Sequence, residues 1–307
     1  MTVLTAENLC KTFGTTRALE DLSLSIEEGS FFGLLGPNGA GKSTFMNIVS
    51  GFLKQDSGSL ALQGEELDPN NIEQKKLIGL SPQHIALYKE LSAETNLKLF
   101  GKLYGLSGKK LSQQIEYALE VAQLSERRKS PVKDFSGGMK RRLNIAVALM
   151  HKPKILLCDE PTVGVDPQSR NAIFDTLLSL KEEGMTIVYS THYMEEAERL
   201  CDQIAIIDVG KILRIGTLDT LLQELPKSNI IRARSASLDE ANTTTFSKFG
   251  AVTQDGSSLE LRTNEDFRLS SFFKWTEDQG LDATDFQIAR PSLEDLFLHL
   301  TGKDLRE

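Results

Sequence analysis

Residues Gly36–Thr44 read GPNGAGKST, a match to G-x-x-x-x-G-K-[ST]. The pattern describes a loop that can wrap a chain of phosphates. Gly36, Gly39 and Gly41 permit a tight turn with converging backbone N–H groups, and Pro37, Asn38 and Ala40 fill the positions between them. Lys42 adds a positive charge, and Ser43 and Thr44 add hydroxyls beside it. The flanks supply the context the motif needs. Upstream, SFFGLL reads as a buried strand. Downstream, STFMNIVSGFL reads as a helix whose N-terminus favours anions. Strand, loop and helix in that order imply a nucleoside triphosphate as ligand. A glycine-rich surface turn with a stray lysine would not need them.

Three further segments narrow the chemistry. Ile155–Pro161 reads ILLCDEP, an apolar run of strand length closed by two acids and a proline. Asp159 then falls at the carboxyl edge of a parallel sheet, where ligands collect, and suits a magnesium ion held opposite Ser43. Glu160, one residue on, is placed to polarise an attacking water. From Phe135 the chain reads FSGGMKRRLNIAVALM: Ser136 is a helix N-cap, and Gly137 and Gly138 leave N–H groups open to an anion. Lys140, Arg141 and Arg142 oppose the dipole of that helix unless an anion or acidic neighbour offsets them. TIVYSTH is an apolar strand from Thr186 to Tyr189 that delivers His192 just past its end.

Taken together and in this order, these residues resemble the nucleotide-binding subunits of ATP-binding cassette (ABC) transporters, over roughly residues 1–225. GPNGAGKST resembles the Walker A loop, and ILLCDE resembles Walker B with Glu160 as catalytic carboxylate. SGGMK resembles the signature loop, with Met139 where the family most often has glutamine. That substitution marks the drug-export branch and keeps the glycine donors. Gln83 in LSPQH is similar to the Q-loop glutamine, VDP with Asp166 to the D-loop, and His192 to the switch histidine. Phe13 stands where the family stacks an aromatic ring on adenine. The resemblance implies ATP and Mg²⁺ as ligands. Lys42 and the loop N–H groups would hold the β- and γ-phosphates. Ser43, Asp159 and, through water, Gln83 would hold magnesium, and His192 would contact the γ-phosphate. It also implies a head-to-tail pair of cassettes, homodimer or heterodimer, in which Ser136, Gly137, Gly138 and Met139 of one close over the ATP of the other.

PSLEDLFLHLTG, from Pro291 to Gly302, resembles the closing segment of subunits that serve ABC-2-type exporters. It reads as a helix with a proline start, early acids Glu294 and Asp295, and Leu293, Leu296, Phe297 and Leu300 on one face. The implied partner is an integral membrane permease of ABC-2 type. The implied location is cytoplasmic, peripheral on the inner face of the membrane through that permease.

Composition agrees with this placement. No apolar run approaches the ~18–20 residues that cross a bilayer, and MTVLTAENLCKTF is no secretory leader. Cys10, Cys158 and Cys201 share no metal or redox spacing and read as reduced thiols. A net charge of −8 argues against a nucleic-acid surface.

The expected fold is α/β: a P-loop NTPase ABC cassette with a RecA-like core, an antiparallel β subdomain and a helical subdomain. The cassette spans 1–225, its helical part about 84–152, with Ile85, Leu87, Tyr88 and Leu91 either touching the partner or packing internally. Residues 226–307 follow in βαββαβ order, an α+β, ferredoxin-like accessory domain for dimer support or regulation. Competing classes fare less well. A GTPase would need N-K-x-D, and no asparagine here precedes lysine. A non-transport ABC ATPase of repair or translation usually carries long coiled coils or a second cassette. An inactive regulatory subunit would lack Glu160 or the signature glycines.

Overall fold

Two hydrophobic patterns produce two kinds of strand. The computed structural model describes residues 1–68, 70–225, 230–234, 240–255, 258–264, 267–289 and 291–302. β1 (Thr2–Phe13) and β2 (Thr16–Glu27) form an antiparallel hairpin, and in β2 the apolar set Leu19, Leu22, Leu24 and Ile26 is buried between more exposed residues. β3 (Phe31–Leu35) is buried at every position. Alternation suits a sheet with one wet face; a continuous apolar run suits a parallel strand covered on both.

After β3 come α1 (Lys42–Val49), β4 (Ser57–Leu62), β5 (Glu65–Glu66), α2 (Ile72–Lys75) and β6 (Ile78–Ser81). A helical stretch holds α3 (Ala93–Leu103), α4 (Gly108–Val121) and α5 (Gly137–Ala148). The chain returns through β7 (Ile155–Asp159), α6 (Pro167–Glu182), β8 (Thr186–Thr191), α7 (Met194–Leu200), β9 (Gln203–Asp208), β10 (Lys211–Gly216) and α8 (Leu218–Leu222). One sheet has the order β2-β1-β4-β5, all antiparallel. The other runs β10-β9-β3-β8-β7-β6, parallel except for the β9–β10 pair. Phe45, Met46, Ile155, Leu157 and Val188 fill the core on one side of the parallel sheet. Phe31, Ile145, Phe174, Leu177 and Tyr189 fill the other. Leu97, Leu111, Leu119, Leu143 and Met150 form a separate core among α3, α4 and α5.

By its contacts the chain divides into two compact units, Met1–Leu218 and one beginning at Asp219. Within the second lie β11 (Ile230–Arg234), α9 (Glu240–Phe246), β12 (Gly250–Asp255), β13 (Ser258–Thr263), α10 (Leu269–Asp278), β14 (Phe286–Ala289) and α11 (Leu293–Thr301). Its sheet has the order β12-β13-β11-β14 with every pair antiparallel. That is the strand order of a ferredoxin-like plait built from βαββαβ. Phe246, Phe272, Trp275 and Phe286 make its aromatic core, with ring centroids 5.2–6.2 Å apart.

Two helix boundaries differ from expectation. α1 stops at Val49 and does not reach Leu53, because Gly51 takes a φ of 69°, which a right-handed helix cannot continue through. Pro291 does not open α11: Ser292 is its N-cap, in a capping box with Asp295 that satisfies donors on both sides. Among the described residues no helix is long and apolar enough to cross a membrane.

The second unit carries the chain's single tryptophan, which makes its stability separately readable. Phe272→Ala removes a fully buried ring and should cost about 3–5 kcal/mol. Urea unfolding followed by Trp275 fluorescence should show the midpoint fall; an unmoved midpoint contradicts this packing.

Candidate active site

Gly41 caps α1 without any side-chain acceptor, so the first-turn N–H groups are left for an anion. Its φ is 111°, and a Cβ there would stand 2.6 Å from the Ala18 carbonyl oxygen. Only glycine fits both demands. The loop is also tied from behind. Gly210 N donates to Ala40 O, and Glu20 N donates to Gly210 O, each at 2.9 Å. The antiparallel sheet is thereby seated on the phosphate loop. Phe13, at the turn of the hairpin and close along it to Ala18, is 48% exposed, with the Lys11 ammonium 5.6 Å from its ring centre. It is a surface ring and not a core aromatic.

The acids at the end of β7 organise the rest. Glu160 is 4% exposed and sits at φ 44°, a left-handed conformation that costs a non-glycine residue about 1–2 kcal/mol. Ser190 holds it there: Glu160 N donates to Ser190 Oγ at 3.0 Å and to Ser190 O at 3.2 Å. The side chain is shared three ways. Lys42 Nζ lies 3.0 Å from Oε1, His192 Nδ1 lies 3.3 Å from the same oxygen, and Gln83 Nε2 donates to Oε2 at 3.0 Å. Lys42 also donates to Gly36 O at 2.7 Å and Pro37 O at 3.1 Å. Burial alone would raise the Glu160 pKa, but Lys42 and then His192 outweigh it, and the carboxyl is held below its ordinary range. Four residues singled out from separate motifs therefore meet at one carboxylate.

Asp159 is 6% exposed and accepts Ser190 Oγ on Oδ1 at 2.6 Å, leaving Oδ2 without a hydrogen bond to the described residues. Ser43 lies half-buried in the first turn of α1, its hydroxyl likewise unengaged by the described residues. Among the described residues no three His, Cys, Asp or Glu cluster into a metal cage. One carboxylate oxygen and one hydroxyl, both hard oxygen donors, are a donor set that suits magnesium when phosphate oxygens and waters complete it.

Ser136, Gly137, Gly138, Met139 and Asp166 lie elsewhere. Ser136 Oγ accepts from Met139 N at 3.2 Å, capping α5, and Asp166 Oδ1 accepts from Ser169 N at 3.0 Å, capping α6. The two helix starts touch, since a Cβ on Gly138 would collide with the Ser169 side chain. Among the described residues this cluster makes no hydrogen bond or ion pair to Gly36–Thr44.

A family profile described as "ABC transporter" matches residues 19–163. The linearmycin resistance ATP-binding protein LnrL of Bacillus subtilis (strain 168) is 42% identical over 99% of this chain and 100% of its own length. The daunorubicin resistance ATP-binding protein DrrA3 of Streptomyces coeruleorubidus is 34% identical, covering 99% of this chain and 98% of that one. Among solved structures, cbiO1 from Clostridium perfringens, part of an ABC transporter complex, superposes with a TM-score of 0.67 at 26% identity, over 73% of this chain and 91% of that one. An ATP-binding cassette solved as a dimer with ADP and Pi gives 0.63 at 29% identity, over 70% and 98%.

This chain belongs to the ABC transporter family. It is an ATP-binding subunit and an ATPase, and as such it works with a membrane permease and a second cassette. Nothing supports the repair or translation alternative.

Sequence reasoning missed several contributors. From the sequence Arg141 reads only as a cation opposing the dipole of α5, yet its guanidinium donates to Gln83 O and, at 3.3 Å, to Val163 O. Burial lowers its pKa while Asp159 and Glu160 pull it back. Arg142 donates to Ala122 O at 2.8 Å, and Lys140 to Lys133 O at 3.3 Å. Backbone carbonyls thus engage all three cations, alongside the acids that Arg141 faces. Ser190 and Glu196 were passed over as well. The available signal for Ser190 is a polar residue inside an apolar strand, whereas Glu196 is set apart only by its place on the buried face of α7.

The lowered carboxyl of Glu160 fixes the sign of a pH effect. Its contribution to stability is fully present above the ordinary glutamate value near ~4.3 and is lost as pH falls through the lower folded value. Glu160→Gln should remove that limb from the pH dependence of unfolding free energy. An acid limb of unchanged steepness in the variant argues against the pairing with Lys42.

Proposed function

We propose that this chain hydrolyses MgATP to drive export through a separate ABC-2-type permease, at the cytoplasmic face of the membrane. One observation carries the export reading. The solved cassettes match 70–73% of the chain, whereas the resistance proteins and a Nod factor export ATP-binding protein of Sinorhizobium fredii match 98–99% of it. The similarity to exporters therefore includes the unit after the cassette. On this reading residues 1–225 are the cassette, with 84–152 its helical part, and 226–307 an accessory domain. A net charge of −8 supports a partner other than nucleic acid.

In the proposed cycle Lys42 and the loop N–H groups bind the β- and γ-phosphates. Lys42 then exchanges Glu160 for phosphate oxygen, and the released carboxylate orients and polarises a water. Gln83 and His192, already bonded to Glu160, are positioned to engage that water and the γ-phosphate. Ser43, Asp159 and, through water, Gln83 would hold magnesium, which neutralises charge developing on the phosphates. Phe13 stacks on adenine. Ser136–Met139 and Asp166, remote from the phosphate loop of their own chain, serve the site of a second cassette, a copy or a relative.

The permease contact is assigned to an open groove of about 700 Å³ lined by Phe52, Ile72, Leu80, Leu103 and Tyr104. Phe52 is 84% exposed and Leu103 72%, and Pro82 and Ala86, which bracket the Gln83 loop, also line it. Apolar side chains beside a catalytic loop, with Lys75 and Lys76 on the same wall, suit a helix end of a membrane protein that is apolar with a polar tip. Ile85, Leu87, Tyr88 and Leu91, read from the sequence as either partner contacts or internal packing, do not line this groove: Tyr88 is exposed, Ile85 and Leu91 are half-buried, and Leu87 packs on the helical core.

Glu160→Gln should lower phosphate release by roughly 10²–10⁴ while ATP still binds; unchanged turnover removes Glu160 from its role. Lys42→Ala should weaken ATP binding itself, measured by equilibrium titration. Affinity purification from detergent-solubilised membranes should bring down a polytopic protein, and Phe52→Asp should abolish that recovery. Recovery of ribosomes or DNA instead would overturn the transport reading.

A further inference from the structure

We infer that Glu196 is a positioning residue for ATP hydrolysis, a buried carboxylate that fixes the turn after Glu160 and the turn carrying His192 by taking a hydroxyl from each. The inference rests on the assignment of Glu160 and His192 to the reacting site. Glu196, in α7, is 3% exposed. Its Oε1 accepts from Thr162 Oγ1 at 2.8 Å, and its Oε2 accepts from Tyr189 OH and Thr191 Oγ1, both at 2.8 Å. Arg170 Nε lies 3.7 Å from Oε1. A carboxylate this buried needs such partners, but a folding role alone does not explain where they come from.

Thr162 follows Glu160 by two residues, in the turn whose next carbonyl, Val163 O, accepts from Arg141. Thr191 directly precedes His192, and its Oγ1 also accepts from Tyr193 N at 2.9 Å. One hydroxyl, donating to Glu196 and accepting from Tyr193, thus pins the backbone on both sides of the histidine. Arg170 belongs to α6, the helix capped by Asp166, and its guanidinium lies 5.2 Å from the Tyr193 ring centre. That ring in turn lies 4.1 Å from the His192 ring. Glu196 touches no reacting group, so its effect passes through Thr162 and Thr191. The role needs an acceptor on both oxygens. An amide of the same shape replaces one with a donor aimed at hydroxyls already committed.

The test compares Glu196→Gln, Thr191→Val and Thr191→Ser in the full chain. Glu196→Gln should lower kcat about ten- to hundredfold, as expected for a small misplacement of reacting groups. KM for ATP and binding of a fluorescent ATP analogue should stay within about threefold. Thr191→Val should behave alike, Thr191→Ser should recover most of the loss, and Glu196→Gln with Thr191→Val should be clearly less than additive. The His192 ring signal in NMR should move while those of His84 and His299 do not. A kcat within about twofold of wild type overturns the inference. In that case a shifted His192 ring faults the assignment of His192, and an unshifted one faults the clamp. Parallel loss of kcat, ATP binding and Tm, without rescue by Thr191→Ser, reduces Glu196 to a folding residue and also overturns it.

Discussion

The Glu160 carboxylate, buried and shared among Lys42, Gln83 and His192, is the interaction on which the rest of this structure turns. A buried carboxylate is tolerable only when its charge is answered, and here the answer comes from three separate segments. The phosphate loop sends Lys42, the loop after β6 sends Gln83, and the end of β8 sends His192. Parallel pairing of β6, β7 and β8 brings the carboxyl ends of those strands into line, and β3 beside β8 adds the phosphate loop. The left-handed backbone at Glu160 is the local consequence. Strain of that kind persists where neighbours over-determine it, and both bonds from Glu160 N to Ser190 do so.

The second constraint is steric. Without a Cβ at Gly41 the Ala18 carbonyl closes on the loop, and the antiparallel sheet can rest on the first turn of α1. Backbone carbonyls of Ala18 and Ile207 therefore wall the phosphate loop at Gly41 and Gly36, with Leu19 and Ile207 side chains beside them. Preorganised donors of this sort need no rearrangement to meet a phosphate, which is where such sites gain most of their catalytic effect.

Much of this was legible in the chain. Continuous apolar runs marked β3, β7 and β8, and the βαββαβ order expected after residue 225 matches β11 to β14 with their helices. GPNGAGKST, the paired acids and the position of His192 could be named because their residue types and placement leave a signature, whereas Gln83 stood out only through the family resemblance. What stayed hidden has a common physical cause. Arg141 and Glu196 act through partners far away in sequence, and Lys, Arg and Glu on helices are usually solvated. Nothing local separates Glu196 from Glu195 except which face of α7 meets the sheet. The helix ends at Val49 and Ser292 were missed for a different reason. Each is set by one backbone dihedral or cap, against which an apolar pattern extending further says little.

Helix α5 links the two clusters mechanically. At its start stand Ser136 and the signature glycines; one turn on, Arg141 holds Gln83 O, and Asn144 donates to Ser81 Oγ and Pro82 O while accepting from Ala86 N. Those bonds hold the segment from Ser81 to Ala86 against α5 at four backbone or side-chain points. Gln83 is itself bonded to Glu160. A chain of hydrogen bonds thus runs from Glu160 through Gln83 to the helix whose start the proposed pairing presents to a second cassette. The basic residues after the signature glycines are best understood this way. Their unfavourable position in the helix dipole is offset by the carbonyls they hold, and the one that Arg141 holds, Gln83 O, joins the start of α5 to the Glu160 cluster.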